Sequence, residues 1–245
     1  MIALNWIIIS GLLMTLIALI CSITLLLKAS TVERLLSPMV TFAAGSLLGS
    51  VFFHLFPMVN KINSSTGSWA LLIAAGFIIL FIFKPFSLWH YNAKSPENAE
   101  KPMTYIMMVG GGLQSFVVGM TISWIFLIDI RLGIICWFAA VAHAVPKKLQ
   151  DLVTLVHTGW SRRSILVFNI LSSQTYLLGG LTAYIVFYQI DTFWLISFAA
   201  GNFIYITISD LVSKTNQFSN LKRKDCAIMI ILFTAGLSLF YFAMP

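Results

Sequence analysis

Along most of this chain the hydrophobic positions do not alternate with polar ones but run on, almost unbroken by charge, for the width of a bilayer. A hydrocarbon core about 30 Å thick takes roughly 20 apolar residues in an α-helix. Runs of about that length lie at 6–27, 35–58, 105–128, 132–157, 164–188, 193–212 and 227–242, with a shorter one at 69–83. Only helices and closed barrels satisfy every backbone N–H and C=O inside lipid. Barrel strands would show short alternating segments, whereas these stretches are long and continuous. The pattern therefore predicts an all-α, polytopic membrane protein of eight transmembrane helices. The first run lacks a basic head and a small-residue cleavage site and is too long for a signal peptide, so it is read as a span.

Composition agrees: 59% of the 245 residues are hydrophobic and 9% charged, against about 25% charged in a soluble domain. A surface built from this chain could not face water, but it could face lipid. Residues 1–245 read as a single transmembrane domain. The longest polar stretch, 84–103, contains prolines and reads as a flexible cytoplasmic linker. Its one histidine, His90, is too few for a metal-collecting loop.

Charge sets the orientation. Lys28, Arg34, Lys84, Lys94, Lys101, Arg162, Arg163, Lys214, Lys222, Arg223 and Lys224 fall in loops on one side, against Lys61 and Arg131 on the other. The positive-inside rule places the first side in the cytoplasm and both termini outside it, with the cell membrane as the expected location. The net charge of +7 is thus loop asymmetry, and no basic stripe interleaved with aromatics points to nucleic acid. The partner of this surface is the lipid bilayer. Cys21, Cys136 and Cys226 share no CxxC spacing and read as structural thiols.

Polar groups inside lipid cost several kcal/mol unless paired or functional, so they mark where chemistry is to be sought. Two spans carry His-x-x-Pro, as His54-Leu55-Phe56-Pro57 and His143-Ala144-Val145-Pro146. A proline within a helix frees the carbonyl four residues back, here Phe53 and Ala142, beside each imidazole. Each pair is either a polar patch or a kink with a capped carbonyl. In the fifth span His143, Lys147 and Asp151 recur every four residues and share one face, with Lys147 in reach of Asp151 and Lys148 off that face. In the fourth, Gly110-Gly111-Gly112 precedes Gln114 and Ser115, and small residues of this kind let a neighbouring helix approach. Asn169, Ser172, Ser173 and Gln174 in the sixth span, and Asn202 in the seventh, fit inter-helix hydrogen bonds. No paired carboxylates, HExxH or nucleophile–base spacing suggests an enzyme, and no motif calls for a bound cofactor.

These residues, in this order, resemble the ZIP family of divalent-metal transporters. The resemblance covers nearly the whole chain. It rests on the Gly-rich second span from Phe42 to Gly49 ending in His54-Leu-Phe-Pro57, and on His143 to Asp151 followed by Gly159-x-Ser161-Arg162-Arg163. Asn169 and the run Ala199 to Tyr205 add to it. The family's fourth helix carries His-Asn-x-x-Asp/Glu-Gly, where this chain has Gln114-Ser115-Phe116-Val117-Val118-Gly119. Its fifth carries His-Glu-x-Pro-His-Glu, where this chain has His143-Ala144-Val145-Pro146-Lys147-Lys148. Carboxylates are gone and an amine stands at a ligand position.

The resemblance implies a secondary carrier of a divalent metal such as zinc, in keeping with the lack of an ATP-binding motif. It also implies a homodimer whose first, fourth, fifth and sixth helices move against a scaffold. Two readings follow. In one, metal passes through a reduced site of His54, Met58, Gln114, His143 and Asp151, with Met58 and the imidazoles favouring softer ions. In the other, the Lys147 ammonium replaces the metal charge, and the chain is a transport-inactive relative that acts as a membrane binding or regulatory protein.

Overall fold

The computed structural model of the chain describes residues 2–26, 29–62, 69–79, 81, 100–186, 192–213 and 223–242. Helix α1 spans Ile2–Ser22 and runs into a 3-10 turn at Ile23–Leu26. Helix α2 spans Ala29–Ser50 and continues through a π turn, Val51–Leu55, into Phe56–Ile62. Then come α3 (Trp69–Ile79), α4 (Glu100–Ile128), α5 (Ile130–His157), α6 (Arg162–Val186), α7 (Thr192–Ser213) and α8 (Arg223–Phe242). No strand occurs among the described residues. Among the described residues, five helical stretches are long and apolar enough to cross a bilayer: Ile2–Ser22, Leu35–Lys61, Val109–Ile128, Ile130–His157 and Arg162–Val186. The apolar stretches Trp69–Ile79, Phe193–Ser209 and Cys226–Phe242 are shorter. The fold is all-α and integral to a membrane.

Of the expected linker, residues 84–99, with His90, lie outside the described residues, as do 27, 80, 82–83 and 187–188 of the expected spans. Residues 100–103 are already helical. Pro102 falls in the first turn of α4, where a missing N–H costs no intrahelical bond.

Both sides of these helices are apolar, so hydrophobicity alone does not mark the inward face; the buried stripes mix small and polar residues with large apolar ones. On α1 the buried stripe is Ile7, Ser10, Gly11, Met14, Ala18 and Cys21, while Ile8, Leu12, Leu16 and Leu19 are exposed. A water-soluble protein would not carry so wide an apolar exterior; in lipid it is solvated. Among the described residues, three helix pairs meet through reciprocal glycines. A Cβ on Gly119 of α4 would stand 2.0 Å from Tyr176 O of α6, and one on Gly179 of α6 2.0 Å from Phe116 O of α4. Gly45 and Gly236 do the same for α2 and α8, and Gly76 and Gly201 for α3 and α7. Close backbone approach of this kind is how helices associate where lipid removes the hydrophobic drive.

Two connections position the site. Asp129 is the only residue between α4 and α5, and its carboxylate accepts from Leu132 N at 2.9 Å as an N-cap. Gln114 stands fifteen residues before Asp129 and His143 fourteen after it. At about 1.5 Å per residue, both lie about 20 Å along their helices from the turn, at one level. At the other end of α5, Gly159 adopts φ 75°, Trp160 N donates to Leu155 O and Gly159 N to Val156 O, both at 3.1 Å. This left-handed stop satisfies the last carbonyls, and Ser161 Oγ then accepts from Ser164 N to start α6. The signature Gly159-x-Ser161 is thus a stop followed by a start.

Candidate functional site

Helices α1, α4, α5 and α6 enclose a small cavity of about 40 Å³ at the level of Gln114. His143 on α5 is 5% exposed. The Lys147 ammonium donates to Gln114 Oε1 on α4. Lysine has donors only, so it fixes the amide with its oxygen towards Lys147 and its nitrogen towards His143. Gln114 Nε2 lies 3.5 Å from His143 Nε2, a long contact in which the ring nitrogen accepts. Asp151 lines the same cavity, and its Oδ2 would lie 3.9 Å from a Cβ on Gly111, so that glycine leaves the carboxylate room.

Three of the five candidate ligands, Gln114, His143 and Asp151, therefore share one cavity with Lys147. His54 and Met58 are not among its lining residues. His54 sits in the π turn of α2, 5% exposed, edge-on to Phe240 with ring centroids 6.1 Å apart. Met58 packs, half-buried, against the central apolar cluster. The helix around His54 is wider than the proline pattern alone suggests: Phe56 N donates to Val51 O across five residues.

Lys148 was expected off this face, yet it lines the cavity too. Its ammonium donates to Ser172 of α6 and reaches Asn169 O at 3.5 Å. One residue turns the Cβ by about 100°, but a four-carbon stem can bring the amine back. Ser172 Oγ in turn donates to Asn169 O at 3.1 Å. Asn169 Nδ2 donates to Ala18 O and Ser22 Oγ of α1, each at 2.8 Å. Gln174 Nε2 reaches Thr15 Oγ1 at 3.1 Å, and Thr175 Oγ1 donates to Gly112 O at 2.9 Å. The polar residues of α6 thus tie together the helices that frame the cavity. The tight α4–α6 contact is at Gly119, not at the triplet: a Cβ on Gly110 would meet nothing within 4 Å.

Chemically, the cavity holds two amines, one carboxylate, one imidazole, one amide and the hydroxyls of Ser115, Ser172 and Tyr176. Among the described residues no group of three or more His, Cys, Asp and Glu is placed to hold a metal ion. A unit charge about 4 Å from another is worth about 4 kcal/mol at an effective dielectric of about 20, and a divalent ion about doubles that. With both lysines charged, a bare divalent ion would be repelled from this cavity.

The ZIP Zinc transporter family matches residues 90–244. The zinc transporter ZIP13 homolog of Drosophila melanogaster is 23% identical over 85% of this chain and 79% of its own length. An uncharacterized zinc transporter of Schizosaccharomyces pombe is 22% identical over 89% of this chain and 66% of its own length. The human metal cation symporter ZIP14 is 26% identical over 56% of this chain, which spans 28% of that protein.

Proposed function

This chain belongs to the ZIP zinc transporter family, and on that premise we propose that it is a secondary transporter of divalent metal, zinc or a similar ion, working through a site rebuilt around Lys147. The observation that supports the rebuilding is the hydrogen bond from the Lys147 ammonium to Gln114, beside His143. In this reading the amine fills the electrostatic place of the ion when no ion is held. Metal enters by displacing it, with His143 and Gln114 Oε1 as first donors and Asp151 as the carboxylate behind them. His54 and Met58 would serve as a separate station on α2.

The reading carries the rest of the topology with it. Eight spans, both termini outside the cytoplasm of the cell membrane, a cytoplasmic loop at 84–103 and a homodimer are its further parts. Eight described helices and the asymmetry of Lys and Arg between alternate loops support the first three. It is a carrier rather than an enzyme.

A second reading rests on the same hydrogen bond. If the amine never leaves, the chain is a transport-inactive relative, a membrane binding or regulatory protein with Lys147 as a permanent metal substitute. A metal panel read as thermal shift on the purified protein tests the proposal. The carrier reading expects zinc or a softer ion to raise the melting temperature of the wild type and to leave His143→Ala unmoved. No shift with any divalent ion would favour the second reading.

A further inference from the structure

A groove of about 850 Å³ runs along the outer seam of α4 and α6. Its walls are apolar, with Val109, Leu113 and Phe116 from α4 facing Val167 and Leu171 from α6. Val109 is 73% exposed and Leu171 60%, so this seam is turned outward, and outward from a membrane bundle is lipid. At one end the character changes: Trp160, Arg163 and Ser164, from the turn after α5 and the first turn of α6, close the groove. Arg163 is exposed, and its guanidinium makes no hydrogen bond or ion pair with any described residue. No carboxylate lines the groove among the described residues, so its net charge is positive.

An apolar trough, a tryptophan and one arginine at its mouth follow the order of parts along a phospholipid. Tryptophan favours the depth where acyl chains meet headgroups, and the planar fork of arginine matches phosphate. We propose that this groove binds an anionic phospholipid, one acyl chain along the α4–α6 seam and the headgroup phosphate on Arg163. A choline headgroup would bring a second cation beside the guanidinium, whereas a glycerol headgroup leaves the lipid with the single negative charge the groove lacks. The position is adjacent to the candidate metal site: Phe168 and Ser172 line both groove and cavity, and Lys148 donates to Ser172. Bound lipid therefore lies one side chain behind Lys148.

The test is native mass spectrometry of the full chain in detergent with phosphatidylglycerol or phosphatidylcholine of matched acyl chains. The wild type should retain phosphatidylglycerol about fivefold over phosphatidylcholine, as one basic residue near an anionic headgroup gives. Arg163→Gln should bring the ratio to about one, and Arg162→Gln, which does not line the groove, should leave it. Leu171→Trp, filling the trough, should remove adducts of both lipids while retaining the wild-type melting temperature. Inorganic phosphate in excess should displace neither lipid. Equal retention of the two lipids by the wild type, an unchanged ratio in Arg163→Gln, or displacement by phosphate would overturn the proposal. So would disulfide-linked dimers of Leu171→Cys in liposomes, which would seat a second copy there instead.

Discussion

The Lys147 ammonium on α5 donates to Gln114 Oε1 on α4. The two residues lie on opposite arms of a helical hairpin closed by Asp129 alone, fifteen and eighteen residues from that turn, so the reach of the lysine stem spans the difference in level. The hydrogen bond also orients the amide towards His143. A side chain that would otherwise rotate freely becomes a fixed spacer between an amine and an imidazole.

That relationship is open to a double-mutant cycle. Gln114→Leu leaves a half-buried ammonium without this acceptor and should lower unfolding stability by about 1–3 kcal/mol. Lys147→Met in the same background should recover most of the loss, because removing both partners of a hydrogen bond costs far less than removing one. Thermal unfolding in detergent of the two single variants and the double measures the coupling, and additive losses would mean the pair is not energetically linked.

If the amine holds the place of an ion, restoring imidazole and carboxylate there should recruit one. Lys147→His with Ala144→Glu should tighten zinc binding by at least about tenfold, about 1.4 kcal/mol, read by calorimetry. A double variant that binds zinc no better than wild type counts against the substitution.

The α4–α6 contact gives a prediction about stability alone. Gly119→Ala puts a Cβ 2.0 Å from Tyr176 O, and since backbone rather than a flexible tip must yield, the cost should be about 1–3 kcal/mol. Gly110→Ala, with open space at its Cβ position, should gain up to about 1 kcal/mol from helix propensity. Melting temperatures moving in opposite directions would confirm that the tight seam is at Gly119.

Asn169 ties α6 to α1 through Ala18 O and Ser22 Oγ. Asn169→Leu should cost about 0.5–2 kcal/mol, which spans the values measured for inter-helix hydrogen bonds in membranes. The loss should appear in the melting temperature without a change in the Gln114–Lys147 coupling.

Much of this arrangement was legible in the residues. Long apolar runs dictate helices in lipid, and His143, Lys147 and Asp151 at intervals of four share a face in any helix. That Gln114 and His143 stand at one level follows only once Asp129 is seen to be the whole turn between their helices. Other parts were not legible. Lys148 reaches the cavity through the length of its stem, which a face diagram drawn at Cβ ignores. His54 repeats the His-x-x-Pro pattern of His143 but lies in a π turn against Phe240, away from the lining of this cavity, because which helices enclose a cavity depends on packing partners. The glycine triplet is the denser small-residue run, whereas the tight contact is at the isolated Gly119, which only a neighbouring backbone reveals.

The central proposal is that divalent metal crosses through the cavity at His143. Radiolabelled zinc uptake into liposomes carrying the purified protein measures this directly. Wild-type protein should accumulate zinc above protein-free liposomes and His143→Ala should fall to their level; equal uptake by the two proteins, or none by the wild type, would contradict it.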